Sequence, residues 1–386
     1  MAVTIHQSPK TWSLSDDPIR WVFSSNQTGQ PNFSYIVEIY AAASLISSHK
    51  LFPISSIYST IDINNDVKSL VSAPLIETIA PTTTVLNNTT VYIIVRENYG
   101  TTPINQASAT SSTINIWKGR VFLNRWIGLD TDDYVFTNNN SKWLTDCPKI
   151  SVRKNETLQL FHITNNGNAI ARTITYYDDN GSTVGSPHVI NPANRLVSKY
   201  NVSYNYLEGQ CTGSFDTVSY VEVVLSNATP NISETIRIYI DRSCGYEIDR
   251  LHFINQLGGL DSFTFKRLSR VSQSTEIQEF RTSQGTLLGN AFTYNSNYTG
   301  LNSYQVKSTQ TKKVKTGWIS KEIQNWLVDN LLTSPLVIFE VVDANKPEFY
   351  KVKINNSTVN KSKNYIDTLV EMEVEFIIHN ENSAVV

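Results

Sequence analysis

The sequence is short of charge, of sulfur and of long apolar runs. Only 17% of its 386 residues are Asp, Glu, Lys or Arg, against about 25% in an ordinary soluble domain. With 32 basic and 34 acidic residues the formal net charge is −2. No positive excess is available to meet a phosphate backbone, so specific nucleic-acid binding is not expected. Cys147, Cys211 and Cys244 are an odd count without CxxC or zinc-ligand spacing. They read as reduced thiols in a chain folded in a cytoplasm. No stretch nears the ~18 apolar residues of a membrane span. The best, residues 35–46, contains Glu38 and several serines, so membrane insertion is not expected. Residues 1–6 lack the basic region and apolar core of a secretory signal. The sequons at Asn26, Asn155 and Asn231 then read as by-products of an Asn- and Thr-rich composition.

Catalytic signatures are missing in the same way. The six histidines (His6, His49, His162, His188, His252 and His379) are scattered, with no HExxH or HxH. No P-loop, no GxGxxG after a strand and no GxSxG elbow is present. Asp130-Thr131-Asp132-Asp133 is the densest acidic cluster, but it lacks the glycine and distal glutamate of a calcium loop and reads as a solvated turn. His162, inside an apolar run, reads as a structural histidine, and the basic cluster Lys312-Lys313-Val314-Lys315 as a solvated hairpin flank. The expectation is therefore no enzyme, no catalytic residue, no cofactor and no metal. Paired carboxylates brought together only by the fold remain open, because their separation is not written in the sequence.

What the chain does have is strand chemistry. Nineteen Tyr and fifteen Phe accompany abundant Val, Ile and Thr, a mainly β composition. Residues 1–118 read as an immunoglobulin- or fibronectin-like β-sandwich. Ile19, Trp21 and Phe23 alternate with polar or outward positions, as do Phe33, Tyr35, Val37 and Ile39, then Val91, Ile93 and Val95, and finally Ile114 and Ile116. Residues 119–245 repeat the style. Asp178-Asp179-Asn180-Gly181 predicts a tight primed hairpin turn. Leu196, Tyr200, Val202, Tyr204 and Tyr206 predict one long strand, followed by strands on Val221, Val223 and Leu225 and on Ile236, Ile238 and Ile240.

Residues 246–386 read as a β-rich domain with one helix over about 320–332. Ser320 is its cap, Glu322 sits in the first turn and Pro335 marks the stop. Ile323, Trp326, Leu327 and Leu331 form its apolar stripe. In the closing strand Met372, Val374, Phe376 and Ile378 face opposite to Glu371, Glu373 and Glu375. Lys351 and Lys353 are candidate cross-strand partners for those glutamates, the alternative being two independently solvated faces.

One stretch echoes another. Phe122-Leu123-Asn124-Arg125-Trp126-Ile127-Gly128-Leu129-Asp130 matches Phe253-Ile254-Asn255-Gln256-Leu257-Gly258-Gly259-Leu260-Asp261 at five of nine positions. The lead-ins match too, Thr113-Ile114-Asn115-Ile116-Trp117 against Thr235-Ile236-Arg237-Ile238-Tyr239. Two readings stand: an inter-domain joint, with glycine at a bend and the Asp bonding backbone amides, or turn chemistry that recurs by chance.

The second copy, continued through Ser262-Phe263-Thr264-Phe265, resembles an F-L-N-x-L-G-G-x-D-x-F-x-F signature of tail proteins from phages and prophages of Bacteroidetes hosts, including the crAss-like group. Lys315-Thr316-Gly317-Trp318, with the helix ending in Leu331-Leu332-Thr333-Ser334-Pro335, is similar to the same proteins. So is the closing pattern Leu369, Glu373, Glu375 and Phe376, and so is Asp17-Pro18-Ile19 ahead of a strand. The first copy departs from the signature, with Arg125-Trp126-Ile127 where Leu-Gly is expected. The resemblance implies a virion structural protein: a tail tube, hub, adaptor or tip component forming a symmetric ring with copies of itself and neighbouring virion proteins. The alternative is a receptor-binding or head-collar spike protein of the same particle, with a host surface receptor as partner. It transfers no catalytic or binding residue.

Overall fold

Alternation decides the first unit. Along Arg20–Ser24 the side chains of Trp21 and Phe23 are fully buried, and Tyr35, Val37, Ile39, Val91, Ile93 and Val95 meet them from facing strands. A period of two turns every second residue to one face, so each strand contributes a single apolar edge to the core. The computed structural model describes residues 3–72, 82–84, 88–121, 130–136, 141–164, 171–190, 197–226, 233–243, 248–281, 285–294, 301–342, 347–355, 369–378 and 383–385.

The first sandwich sets a three-stranded sheet, in the order Thr4–Gln7, Arg20–Ser24, Tyr58–Asp62, against a larger one. The larger sheet runs Trp12–Leu14, Ile114–Trp117, Thr89–Tyr99, Ser34–Ala41, Ser44–Leu51, with Ile104–Thr110 pairing Thr89–Tyr99 off that path. The second sandwich repeats this order. Val135–Phe136, Gln159–Thr164 and Val197–Asn201 form one sheet; Ile150–Arg153, Ile236–Asp241, Tyr220–Ser226, Ala171–Tyr177 and His188–Ile190 form the other. In both units the second strand lies parallel to the last one, and a helix, Asn64–Val67 or Tyr204–Gln210, follows the sixth strand of this common order. This is the immunoglobulin-like arrangement expected from the sequence. A short strand from the first unit, Thr82–Thr84, also pairs with Val197–Asn201 of the second.

Two local expectations in the second unit are corrected. The long strand over Leu196, Tyr200, Val202, Tyr204 and Tyr206 ends at Asn201, and Tyr204 and Tyr206 belong to the helix Tyr204–Gln210; Leu196 lies outside the described residues. Asn201 stops the strand: its Oδ1 accepts from the Ser203 amide (3.0 Å) and hydroxyl (2.6 Å), an Asx turn that competes with the ladder. Tyr204 and Leu207, three residues apart, then bury one helical face. At Asp178-Asp179-Asn180-Gly181 only Gly181 is left-handed, at φ +76°. The Asp178 carboxylate accepts from the Asn180 and Ser182 amides at 2.9 and 2.8 Å, so an aspartate-held turn with one glycine replaces the tight primed pair.

The third segment is an antiparallel sheet in the order Leu260–Phe265, Asp249–Ile254, Val337–Val341, Glu348–Ile354, Leu369–Ile378, Leu301–Ser320, Arg270–Arg281, with Ser383–Val385 beside Leu301–Ser320. The helix Lys321–Asn330 starts where Ser320 Oγ accepts from the Ile323 amide at 3.4 Å. Trp326, Leu327 and, just past its end, Leu331 are buried against Phe253, Phe265, Val370, Met372, Val374 and Phe376, with Ile323 half-buried beside them. The partners of the glutamate row differ from expectation. Lys353 lies opposite Ile377, whereas Lys313 meets Glu375 at 2.9 Å and Lys315 meets Glu373 at 3.3 Å. The basic cluster lies within a strand on the flank of the long hairpin, Lys312 and Lys313 standing opposite Val271 and Arg270. A strand running from Leu301 to Ser320 carries it across the sheet, where Lys312 bonds Asp249 and lies 4.7 Å over the Phe339 ring.

Candidate assembly arm and the joint beneath it

Strand Arg270–Arg281 is exposed at all twelve positions and forms one end of the sheet order, with its outer edge unpaired among the described strands. It pairs only with residues 301–313 of Leu301–Ser320. The other edge of Leu301–Ser320 is covered by Ser383–Val385 at residues 305–307 and by Leu369–Ile378 from residue 310 onward, so Arg270–Arg281 is the edge strand of the sheet, roughly 40 Å long at about 3.4 Å per residue. Between these two strands the chain forms a second hairpin, Gly285–Leu288 with Ala291–Tyr294. Val271, Ile277, Phe280, Leu287, Leu288, Phe292, Tyr294, Leu301 and Tyr304 are all exposed along the arm, Tyr294 by 77%. At its foot a β-bulge between Lys315 and Trp318, with Gly317 at φ +73°, leaves Trp318 66% exposed. Bulges commonly re-aim a side chain in this way.

No sequence reading singled out the arm. A signal was available, since not one charged residue lies between Arg281 and Lys307. Exposed hairpins ordinarily carry charge, and a long, apolar, unpaired edge is a template for pairing with another chain.

The hairpin Asp249–Ile254 with Leu260–Phe265 fixes the sheet that carries the arm to the rest of the molecule. Its turn holds the second copy of the sequence echo. Asn255 N donates to Gly259 O, Asn255 Oδ1 accepts from the Gly259 amide, and Asn255 Nδ2 donates to Leu144 O at 2.7 Å. Trp117 Nε1 donates to Leu257 O at 2.8 Å and the Arg120 amide to Gln256 O at 2.9 Å. Gln256 in turn takes the helix end, its amide donating to Asn330 Oδ1 and its Nε2 to Asp329 O, both at 2.9 Å. One turn therefore grips both sandwiches and the helix. Around it, Trp12, Leu14, Trp117, Leu144, Phe161, Ile163, Ile254, Leu257 and Leu260 form a core drawn from all three segments.

The lead-ins of the echo, Ile114–Trp117 and Ile236–Asp241, occupy the same place, the last strand of each sandwich. Residues 122–129 of the first copy lie outside the described residues. Asp130 of the first copy accepts from the Asp132 amide at 3.2 Å, as expected of the Asp, whereas in the second copy the amide of the turn is bonded by Asn255. Asp261 is buried, and desolvation, with Asp146 repelling it, pushes its carboxyl to about 7.

Beside the turn lies a buried ionic lock. Arg250 Nη1 donates to Glu156 Oε2 at 2.8 Å and to Thr264 Oγ1 at 2.6 Å, and its Nε donates to Thr157 O at 3.0 Å. Glu340 accepts from the Thr157 amide at 3.0 Å and meets His252 Nε2 at 2.8 Å. Burial holds His252 below the usual histidine range despite Glu340. Glu340 is raised by burial, but bonds from His252, Arg250 and Thr157 outweigh this and lower it. A buried pair contributes little net stability when intact, yet losing one partner is costly, which suits a device that fixes orientation.

The other candidates have structural surroundings. His162 is fully buried; its Nε2 bonds Ser141 Oγ at 2.8 Å, and desolvation lowers its pKa to about 3. Asp130 caps a short 3₁₀ turn and pairs with Lys10, while Asp133 pairs with Lys142. Cys147 and Cys211 are free thiols, and Cys244 lies outside the described residues. Among the described residues no three His, Cys, Asp or Glu side chains stand close enough to hold a metal ion. None of their helices is long and apolar enough to cross a membrane.

No family model and no curated protein matches the chain. Among solved structures, the full extracellular region of plexin A4 aligns over 98% of this chain at 9% identity and a TM-score of 0.18; this chain covers 31% of that one. The complex of Dpr2 Ig1-Ig2 with DIP-Theta Ig1-Ig3 aligns over 99% of this chain and 91% of its own, at 7% identity and a TM-score of 0.17. Scores of this size carry no argument about function.

Proposed function

We propose that the chain is a non-enzymatic structural component of a bacteriophage virion, a tail protein that forms a symmetric ring of identical copies through its arm. The observation that carries this reading is the strand Arg270–Arg281, exposed along its whole length with a free edge and with apolar side chains on both faces. Such an edge left bare invites uncontrolled pairing. A strand from a neighbouring copy satisfies its amides and carbonyls and covers the side chains, as in β-augmentation. The joint supports the same reading, because it fixes the sheet whose edge the exposed strand forms. The virion setting rests on the resemblance of the C-terminal stretches to phage tail proteins.

Amide exchange at low and high protein concentration tests this. Residues 270–281 and 285–294 gain protection as copies associate, while the sandwich cores stay unchanged. Equal exchange at both concentrations contradicts the assignment of the arm.

A further inference from the structure

A cleft of about 1,100 Å³ separates the second sandwich from the C-terminal sheet. One wall belongs to the sandwich. Tyr220 and Tyr239 stand opposite each other on neighbouring strands, and the adjacent Val221 and Ile238 point into the core, so both phenols face outward. Asp179, exposed in the turn after Ala171–Tyr177, lines the same wall and accepts from the Ser219 hydroxyl. The opposite wall carries Trp318 and, in the first turn of the helix, the exposed Glu322. The β-bulge before Trp318 turns its indole outward, and the residue is 66% exposed. An indole left open to a cleft is a contact surface in waiting, apolar on its face and polar at its edge.

Charge narrows the occupant. Along the cleft Lys149, Arg242 and Lys266 are balanced by Asp179, Asp241 and Glu322. The cations are engaged locally: Lys266 pairs with Asp241 at 2.7 Å, Lys149 lies 4.8 Å over the Tyr239 ring, and Arg242 donates to Phe215 O at 2.5 Å. A nucleic acid or polyphosphate needs an excess of positive charge that this cleft lacks. A purely apolar ligand would strip water from Asp179 and Glu322 without replacing its hydrogen bonds. A sugar meets both demands. The C–H face of a pyranose ring packs on the negative face of an indole. Its hydroxyls donate to carboxylates, each with two acceptor oxygens, and accept from phenols. The volume exceeds the about 300–1,000 Å³ of ordinary small-molecule sites, so linked sugar units fill it and a single one does not.

We propose that this cleft binds an uncharged oligosaccharide, stacked on Trp318 and hydrogen-bonded by Asp179, Glu322 and Tyr220. None of the residues lining it lies on Arg270–Arg281 or on the hairpin that follows. The site is therefore independent of assembly through the arm.

Microscale thermophoresis on the full-length protein tests it, with tetrasaccharides of glucose, galactose, mannose or N-acetylglucosamine as probes. A tetragalacturonate and a single-stranded oligonucleotide serve as charged controls. At least one neutral tetrasaccharide is expected to bind, and neither control. Trp318→Ala is expected to weaken that binding about tenfold, and Glu322→Gln to weaken it as well. Both side chains are exposed, so both variants are expected to melt with the wild type. A wild type that binds none of the neutral probes at millimolar concentration overturns the proposal. So does an affinity that is unchanged in either variant. Binding confined to the charged controls also overturns it and assigns the cleft to another class of ligand.

Discussion

Gly258 holds φ +85°, and a Cβ built on it would lie 1.7 Å from Lys118 O. The left-handed backbone costs a non-glycine residue about 1–3 kcal/mol, and the overlap adds to that. Gly258→Ala is expected to lower the melting temperature and loosen the turn from the first sandwich, read as faster exchange of the Arg120 amide. An unchanged melt and unchanged exchange contradict the joint. Asp261 gives a pH prediction. Its folded pKa, about 7, stands above the ordinary 3.8, so the folded state binds the proton more tightly. Its contribution is fully present below about pH 4 and is lost as pH rises through 7, a few kcal/mol in order of magnitude. His162 acts in the opposite sense: lowered to about 3, it favours the folded state more as pH rises from 3 to 6.5. The difference between wild type and Asp261→Asn isolates the carboxyl. The variant is expected to gain in relative stability from pH 4 to pH 8, and a pH-independent difference contradicts the assignment. At this scale the sequence was partly legible. The glycine at a bend could be read, but the buried Asp261 could not, because its desolvation comes from packing across segments and its repulsion from Asp146, which is distant in sequence.

At the scale of elements, regular spacing made the helix and most strands readable. Trp326, Leu327 and Leu331 recur at helical intervals and are buried together, with the Phe253 and Trp326 rings 5.3 Å apart. Trp326→Ala is expected to cost about 3–5 kcal/mol, enough to unfold the C-terminal sheet or abolish assembly. A thermal melt equal to the wild type contradicts that placement. The errors have physical causes. Tyr204 and Tyr206 extend an alternating pattern that Asn201 interrupts through its side chain, a local bond invisible to periodicity. The glutamates of Leu369–Ile378 found their lysines on Leu301–Ser320, since strand order was set by the hairpins and the arm and not by charge. Arg270–Arg281 shows no apolar period because neither face is buried within one copy. A pattern read against a single-chain core cannot reveal a strand that this chain leaves uncovered.

The whole molecule combines two sandwiches of similar strand order with a third sheet locked to them by one turn and a buried ion pair. At the edge of that sheet stands an exposed strand, followed by a hairpin without charge. Composition made the mainly β class and the sandwiches legible. The division of labour between rigid body and arm emerged only once the sheet order was known. Assembly through the arm can be measured by sedimentation velocity over a concentration series, with wild type run beside the Leu287→Asp/Leu288→Asp variant. A discrete oligomer is expected for the wild type and a monomer of unchanged melting temperature for the variant. A wild type that stays monomeric throughout, or a variant that assembles equally well, contradicts it.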